Sequence, residues 1–136
     1  MRLHLRDPTT FRWIQQGHKQ IEGRLWRGVI RRIRRGDLVM FCCEGSELPA
    51  YVTAIRRYGS FSEMLASGDQ LERTLPGEPT VESGVRRYHQ LYNRRDQRRY
   101  DAVAIVFRLA NVNLSVDSTC KKIEMTPEEK RGSILP

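Results

Sequence analysis

Long apolar runs are missing from this chain. None approaches the roughly 20 residues that a membrane-spanning helix requires. Met1 to Asp7 begins with a basic residue but lacks the apolar stretch of a secretory signal, so the sequence reads as soluble, intracellular, cytoplasmic or nuclear, without a membrane role. Cysteine is scarce: Cys42, Cys43 and Cys120 form an odd set without metal-ligand spacing. Cys42 and Cys43 are neighbours in an apparent strand, where alternation points them to opposite faces. They are expected to be free, buried or semi-buried thiols in a reducing compartment. His4, His18 and His89 are scattered over different elements, which argues against a metal site. No glycine-rich phosphate loop, dinucleotide fingerprint or internal repeat occurs, so no cofactor is expected. Acidic residues are also in deficit, 16 against 24 lysines and arginines, which leaves a formal net charge of +8 and a pI of about 9.9.

What is present fits one globular domain. The 136 residues are 39% hydrophobic and 29% charged, enough to bury a core without staples. Arginine supplies most of the positive charge, and its planar fork of donors suits phosphate oxygens. A polyanionic partner is therefore favoured. Leu3 and Leu5 alternate with His4 and Arg6 in a short opening strand. Asp7-Pro8 starts a helix to about Gln16, with Gly17 as its stop. Gln20 to Trp26 alternates as a strand, with Ile21, Gly23 and Leu25 on one face and Glu22, Arg24 and Trp26 on the other. Val29 to Arg35 reads as a basic loop anchored by Ile30 and Ile33. Leu38 to Cys43 and Ala50 to Tyr58 read as strands joined by the turn Glu44 to Glu47. Ser60 to Glu63 has the pattern of a capping box, and Ser62 and Thr80 also read as caps. Helices are expected over Phe61 to Ala66, after Asp69, and from Thr80 to about Arg94, with Val85, Tyr88, Leu91 and Tyr92 facing the core. Arg94 to Arg99 reads as an exposed loop that extends a phosphate track. Asp101 to Leu109 is a central strand, and Cys120 to Ile123 a last short one. The domain is expected over residues 1–125, with 126–136 a flexible tail. Short strands with inserted helices indicate an α+β or small barrel fold.

Three groups of residues carry candidate chemistry. Lys19, Glu22 and Arg24 lie within six positions, with Glu22 and Arg24 on one strand face. They make either a charged pocket or a solvated Glu22–Arg24 ion pair with Lys19 free. In the pocket reading Arg24 holds a phosphate or base edge and Glu22 accepts hydrogen bonds. Lys19 stabilises an anion, or acts as a base if burial lowers its pKa. The second group is Arg24, Arg27, Arg31, Arg32, Arg34 and Arg35, joined by Arg56 and Arg57, with Trp26 and Tyr58 interleaved. Arginine contacts to phosphate combined with aromatic stacking suit single-stranded or looped RNA. The alternative is a solvated arginine face with Trp26 in the core. The third group is Arg94 to Arg99. His18 beside Lys19 is a weaker candidate for proton transfer.

Gly17-His18-Lys19-Gln20-Ile21-Glu22-Gly23-Arg24 resembles the signature of the ASCH family. Arg32-Ile33-Arg34-Arg35-Gly36-Asp37 resembles its next segment. Tyr58 with Phe61 to Leu65 and Leu75-Pro76-Gly77 resembles its helical insertion, and Val85 to Tyr92 with Tyr100 to Ile105 its closing helix and strand. The resemblance implies an α+β fold, a small PUA-like mixed β-barrel with inserted and flanking helices and a cleft between barrel and helices. It implies RNA, or a nucleoside or nucleotide, as partner. Some relatives resemble ribonucleases or acetylcytidine amidohydrolases. In the latter a lysine at the Lys19 position works with a threonine at the Glu22 position and a distant glutamate, matched here to Glu78. This chain has Glu22 in place of that threonine. The expectation is an RNA-binding domain using Lys19, Glu22, Arg24 and the arginine track. A metal-independent enzyme with Lys19 and Glu22 as catalytic groups, and a regulator with protein partners, are the alternatives.

Overall fold

The computed structural model describes residues 1–110. Five strands and five helices follow one another as β1 (Arg2–His4), α1 (Pro8–Gln15), β2 (Ile21–Leu25), a 3-10 turn (Gly28–Arg32), β3 (Leu38–Cys43), β4 (Ser46–Tyr58), α2 (Phe61–Ala66), α3 (Gln70–Thr74), α4 (Val81–Leu91), α5 (Arg94–Arg99) and β5 (Ala102–Leu109). The strands form one curled sheet in the order β1-β3-β4-β5-β2. Only the β1–β3 pair is parallel. The result is the α+β half-barrel that the sequence implied, with β1 and β2 at its two edges.

Two hydrophobic clusters lie on either side of this sheet, and β5 belongs to both. Val103, Ile105 and Phe107 enter the concave cluster with Leu3, Ile14, Ile33, Val39, Phe41 and Val52. Ala102, Ala104 and Val106 enter the convex cluster with Ile21, Leu25, Phe61, Met64, Leu65 and Tyr88. A strand buried on both faces must be apolar at every position, which is why 102–107 shows no polar alternation. β4 reaches the same end by a bulge. The register slips between Val52 and Ala54, and the extra residue flips the faces. Ala50 and Val52 point into the concave cluster before it, and Ile55 does so after it, while Ala54 and Tyr58 turn to the helices.

Helix starts follow side-chain caps. The Asp7 carboxylate accepts from Thr9 N at 2.9 Å, with Pro8 in the first turn. Ser60 accepts from Glu63 N, and Thr80 and Ser83 cap α4 reciprocally. Ser62, expected as a cap, lies inside α2, and Glu63 reaches back to Gly59 N rather than to Ser60 N.

Several boundaries differ from the sequence reading. The expected helix to Arg94 stops at Leu91, and Arg94 to Arg99, expected as a loop, is a helix of its own. Tyr92 and Asn93 are the reason: the extended backbone at Tyr92 ends α4, and the Asn93 side chain accepts from Asp96 N at 2.7 Å to start α5. β4 begins at Ser46, because the Glu44-Gly45 turn is tight enough for pairing to resume at once. The basic loop after β2 contains a 3-10 turn, with Ile30 and Ile33 buried as anchors. Cys42 and Cys43 are free and buried. Cys120, the expected strand near it, and the domain end and tail lie outside the described residues.

One close approach constrains the sheet from the helix side. A Cβ at Gly23 on β2 would stand 2.3 Å from the Tyr88 hydroxyl and 2.9 Å from Met64 Cε. Both neighbours sit in the packed convex cluster, so overpacking of this kind costs about 1–3 kcal/mol. Gly23→Ala is expected to lower unfolding free energy by that amount in urea titration, whereas Ser62→Ala, exposed on α2, should change it by less than about 0.5 kcal/mol.

Candidate functional site

The site begins with the way α1 ends. Gly17 adopts φ +84°, and its N–H donates to Ile14 O while His18 N donates to Trp13 O. These two bonds satisfy helix-end carbonyls in a Schellman arrangement that needs the left-handed region at Gly17. Lys19 N also donates to Trp13 O. The chain therefore reverses sharply, and Lys19 is turned inward. His18 and Gln20 go the other way, into a more open hollow of about 520 Å³ shared with Trp13 and Arg73. His18 thus lines the other hollow rather than the Lys19 side, as suits an incidental residue rather than one in proton transfer.

Lys19 is only 2% exposed. Its Nζ donates to Ile21 O and to Thr74 O at the end of α3, both at 2.7 Å, and lies 3.2 Å from Glu22 Oε1. Three acceptors around one nitrogen match the three donors of an ammonium. Lys19 is the only lysine in the described residues; the remaining side-chain cations there are arginines or histidines. A compact head with radial donors fits this niche, where a planar guanidinium would not.

Glu22 and Arg24 share the face of β2 that pairs with Ile105 and Val103. Glu22 Oε2 accepts from Arg24 Nε at 2.6 Å. Arg24 Nη2 donates to His4 O at 3.0 Å, so the side chain bridges the gap between the two sheet edges. Burial works to raise the Glu22 carboxyl, but Arg24 and Lys19 together outweigh it and hold it below its ordinary range. Burial lowers the Lys19 ammonium, with Glu22 opposing. One anion is thus flanked by two cations.

A cleft of about 380 Å³ opens on this triad. Its floor is Lys19 and Glu22 to Arg24, one wall is His4 to Asp7 with Thr10, and the other is Arg87, Tyr88, Leu91 and Tyr92 of α4 and its end. Phe61 stacks flat on Tyr88, 3.9 Å between ring centres, and lies 5.7 Å from Tyr92. Burial, with Glu22 adding to it, pushes the Tyr88 phenol well up, so it remains a neutral hydrogen-bond donor. Arg27 lines the cleft, ion-paired with Asp96 at 2.8 Å and resting on Tyr92 and Tyr100.

The predicted residues divide accordingly. Lys19, Glu22, Arg24 and Arg27 are brought together. Arg31, Arg32, Arg34 and Arg35 are exposed and line neither of the two hollows described here. Trp26 packs against the concave cluster beneath Arg57, and Tyr58 packs on the convex side with its hydroxyl bonded to Gln70. Glu78 does not line the cleft; it pairs with Arg87, which does, at 3.2 Å. Leu91, expected in the core, is 48% exposed at the cleft rim. Sequence reasoning missed the Tyr88–Tyr92 wall because its spacing also reads as a core face. Among the described residues no three His, Cys, Asp or Glu side chains could hold a metal ion.

Removing the carboxylate from this set leaves buried positive charge without its partner, which costs about 3–5 kcal/mol. Glu22→Ala is expected to lose stability on that scale in a denaturant titration. The pH dependence follows from the lowered folded pKa. The stabilisation is complete above the ordinary value of 4.5 and is lost as pH falls through the folded value. The acid limb of wild-type stability should therefore flatten in Glu22→Gln.

No curated protein gave a significant match to the sequence. Solved structures similar to this chain include the following two. A crystal structure of the hypothetical protein PH0355 superposes with a TM-score of 0.72 at 36% identity, covering 81% of this chain and 100% of that one. A solution structure of protein PF0455 from Pyrococcus furiosus gives 0.67 at 34% identity, covering 82% and 100%. The ASCH domain model matches residues 3–110, from β1 through the end of β5 and across the whole triad. With the half-barrel, the cleft and this match together, the chain belongs to the ASCH domain family.

Proposed function

We propose that the cleft takes one unpaired nucleotide of a single-stranded or looped RNA. The observation that carries this reading is the Lys19–Glu22–Arg24 set, two cations about one carboxylate at the floor of a cleft of about 380 Å³. Such a volume lies within the range of small-molecule pockets, about 300–1,000 Å³. It suits a base that is out of the stack, as RNA-recognising proteins commonly require. Arg24 and Arg87 supply planar donors for phosphate or base edges. The ionised Glu22 accepts from exocyclic amino or hydroxyl groups, and Tyr92 offers an aromatic wall worth about 1–3 kcal/mol of stacking.

Two contacts support binding over chemistry. The Glu22 carboxylate, held below its ordinary range, is a weak base, and the three acceptors around Lys19 Nζ engage all three protons of its ammonium form and oppose their release. Lys19 is then a positioning residue that fixes Glu22. Arg24→Lys keeps a charge beside Glu22 and removes the planar fork. It is expected to weaken an RNA gel shift by about 10- to 100-fold, the worth of one charged hydrogen-bond pair. Wild-type affinity should fall as salt rises. No preference for RNA over an uncharged competitor would overturn the reading. Turnover of labelled RNA or acetylcytidine in the presence of chelator, lost in Lys19→Ala, would replace it with catalysis.

A further inference from the structure

Helix α5 is built against its own stability. Arg94 and Arg98, and Arg95 and Arg99, are like charges at i,i+4, which repel on a helix surface. Arg94 and Arg95 also sit in the first turn, where the helix dipole favours anions. None of its six residues is buried, so no core contact offsets the repulsion. What holds the helix is polar and local: the Asn93 cap, Gln97 Nε2 donating to Tyr92 O at 2.8 Å, and Asp96 paired with Arg27. Asp96 is the only acid on the helix and is engaged by Arg27. Four exposed guanidiniums are left without a counter-charge from their own helix.

Their position connects them to the cleft. Arg27 and Tyr92 line it, Arg27 rests on both Tyr92 and Tyr100, and Arg99 lies over the Tyr100 ring at 5.3 Å. One unbroken series of contacts therefore runs from the cleft wall to α5. A sequence that keeps a locally unfavourable choice on a rigid element beside a binding cleft marks a partner outside the fold.

We infer that Arg94, Arg95, Arg98 and Arg99 hold the phosphates of the RNA segment that continues from the nucleotide in the cleft. The inference rests on the RNA reading of the cleft and extends it: the ligand is an oligonucleotide, and its backbone leaves past Tyr100. Six helical residues span about 9 Å, room for about two or three phosphates of one strand.

The test is fluorescence anisotropy with a labelled 12-nucleotide polyuridine, with cytidine and adenosine monophosphates as competitors, at two salt concentrations. The variants are Arg98→Gln/Arg99→Gln and Arg24→Lys. In the α5 variant, 12-mer affinity should fall about 5- to 20-fold and the salt slope shrink by about one to two. Monophosphate competition should be unchanged. Its thermal midpoint should stay close to that of wild type, because relief of the like-charge pairs offsets the loss of two cations from the last turn, which separates the effect from unfolding. An α5 variant that binds the 12-mer with wild-type affinity and slope overturns the inference, as does a wild type that binds the 12-mer no better than a monophosphate. If Arg24→Lys weakens both ligands while the α5 variant weakens neither, the cleft reading stands and this extension falls. If only the α5 variant weakens the 12-mer, the cleft reading fails and the continuity with it is overturned.

Discussion

The structure depends on a small buried charge set. Lys19, Glu22 and Arg24 are drawn from the turn after α1 and from the edge strand β2, yet two of their partners come from elsewhere, Thr74 O at the end of α3 and His4 O at the end of β1, while Ile21 O belongs to β2 itself. Desolvating charges is expensive unless each one is paired and hydrogen-bonded. That requirement fixes where α1, α3 and both sheet edges stand relative to one another. A displacement of any of them strands a buried charge, so the set acts as a register pin added to the two apolar clusters.

This pin sits where the sheet fails to close. The order β1-β3-β4-β5-β2 leaves β1 and β2 as edges, and the Arg24 side chain spans the seam where a fifth pairing would close the barrel. A side-chain bridge differs from a strand pair in leaving space on either side. The cleft is that space. Helix α4 roofs it because Phe61 holds Tyr88 flat against the convex cluster, and Gly23 lets the Tyr88 hydroxyl descend onto β2. A single missing Cβ thereby connects core packing to the shape of the site.

Most of the frame was legible from residues one or two apart. The Asp7-Pro8 start, the Gly17 stop, the alternation of β2 and the doubly apolar β5 are each local signals with a local cause. The placement of Lys19, Glu22 and Arg24 in one cleft followed from period-two alternation and a glycine before it. What failed was decided at longer range. Leu91 has the spacing of a core residue, but it is the last residue of α4 and lies exposed on the cleft rim. Arg94 to Arg99 carries no apolar periodicity, so its helix was invisible until Asn93 and the Arg27–Asp96 pair were seen together. Trp26 and Tyr58 lie among arginines in sequence, but their rings turn to the two clusters. Arg87, Tyr88 and Tyr92 reach the site from more than sixty residues away along the chain, a distance that no spacing rule covers.

Economy of folding does not explain this centre. A buried ion set is often no more stabilising than apolar residues of the same volume, and here it carries one cation in excess of its anions. Glu22 alone pairs both neighbours, so one positive charge is left over even after the set has pinned its elements. Two of the five Arg24 donors are taken up by Glu22 and His4, and the side chain as a whole is 21% exposed. A fixed, partly desolvated positive charge in a concave site concentrates field where solvent is displaced. On the proposed reading an anion entering there would complete that balance, and phosphate brought from outside would relieve the repulsion within the Arg94–Arg98 and Arg95–Arg99 pairs of α5. The Arg27 stack on Tyr92 and Tyr100 would then make cleft and helix parts of one surface.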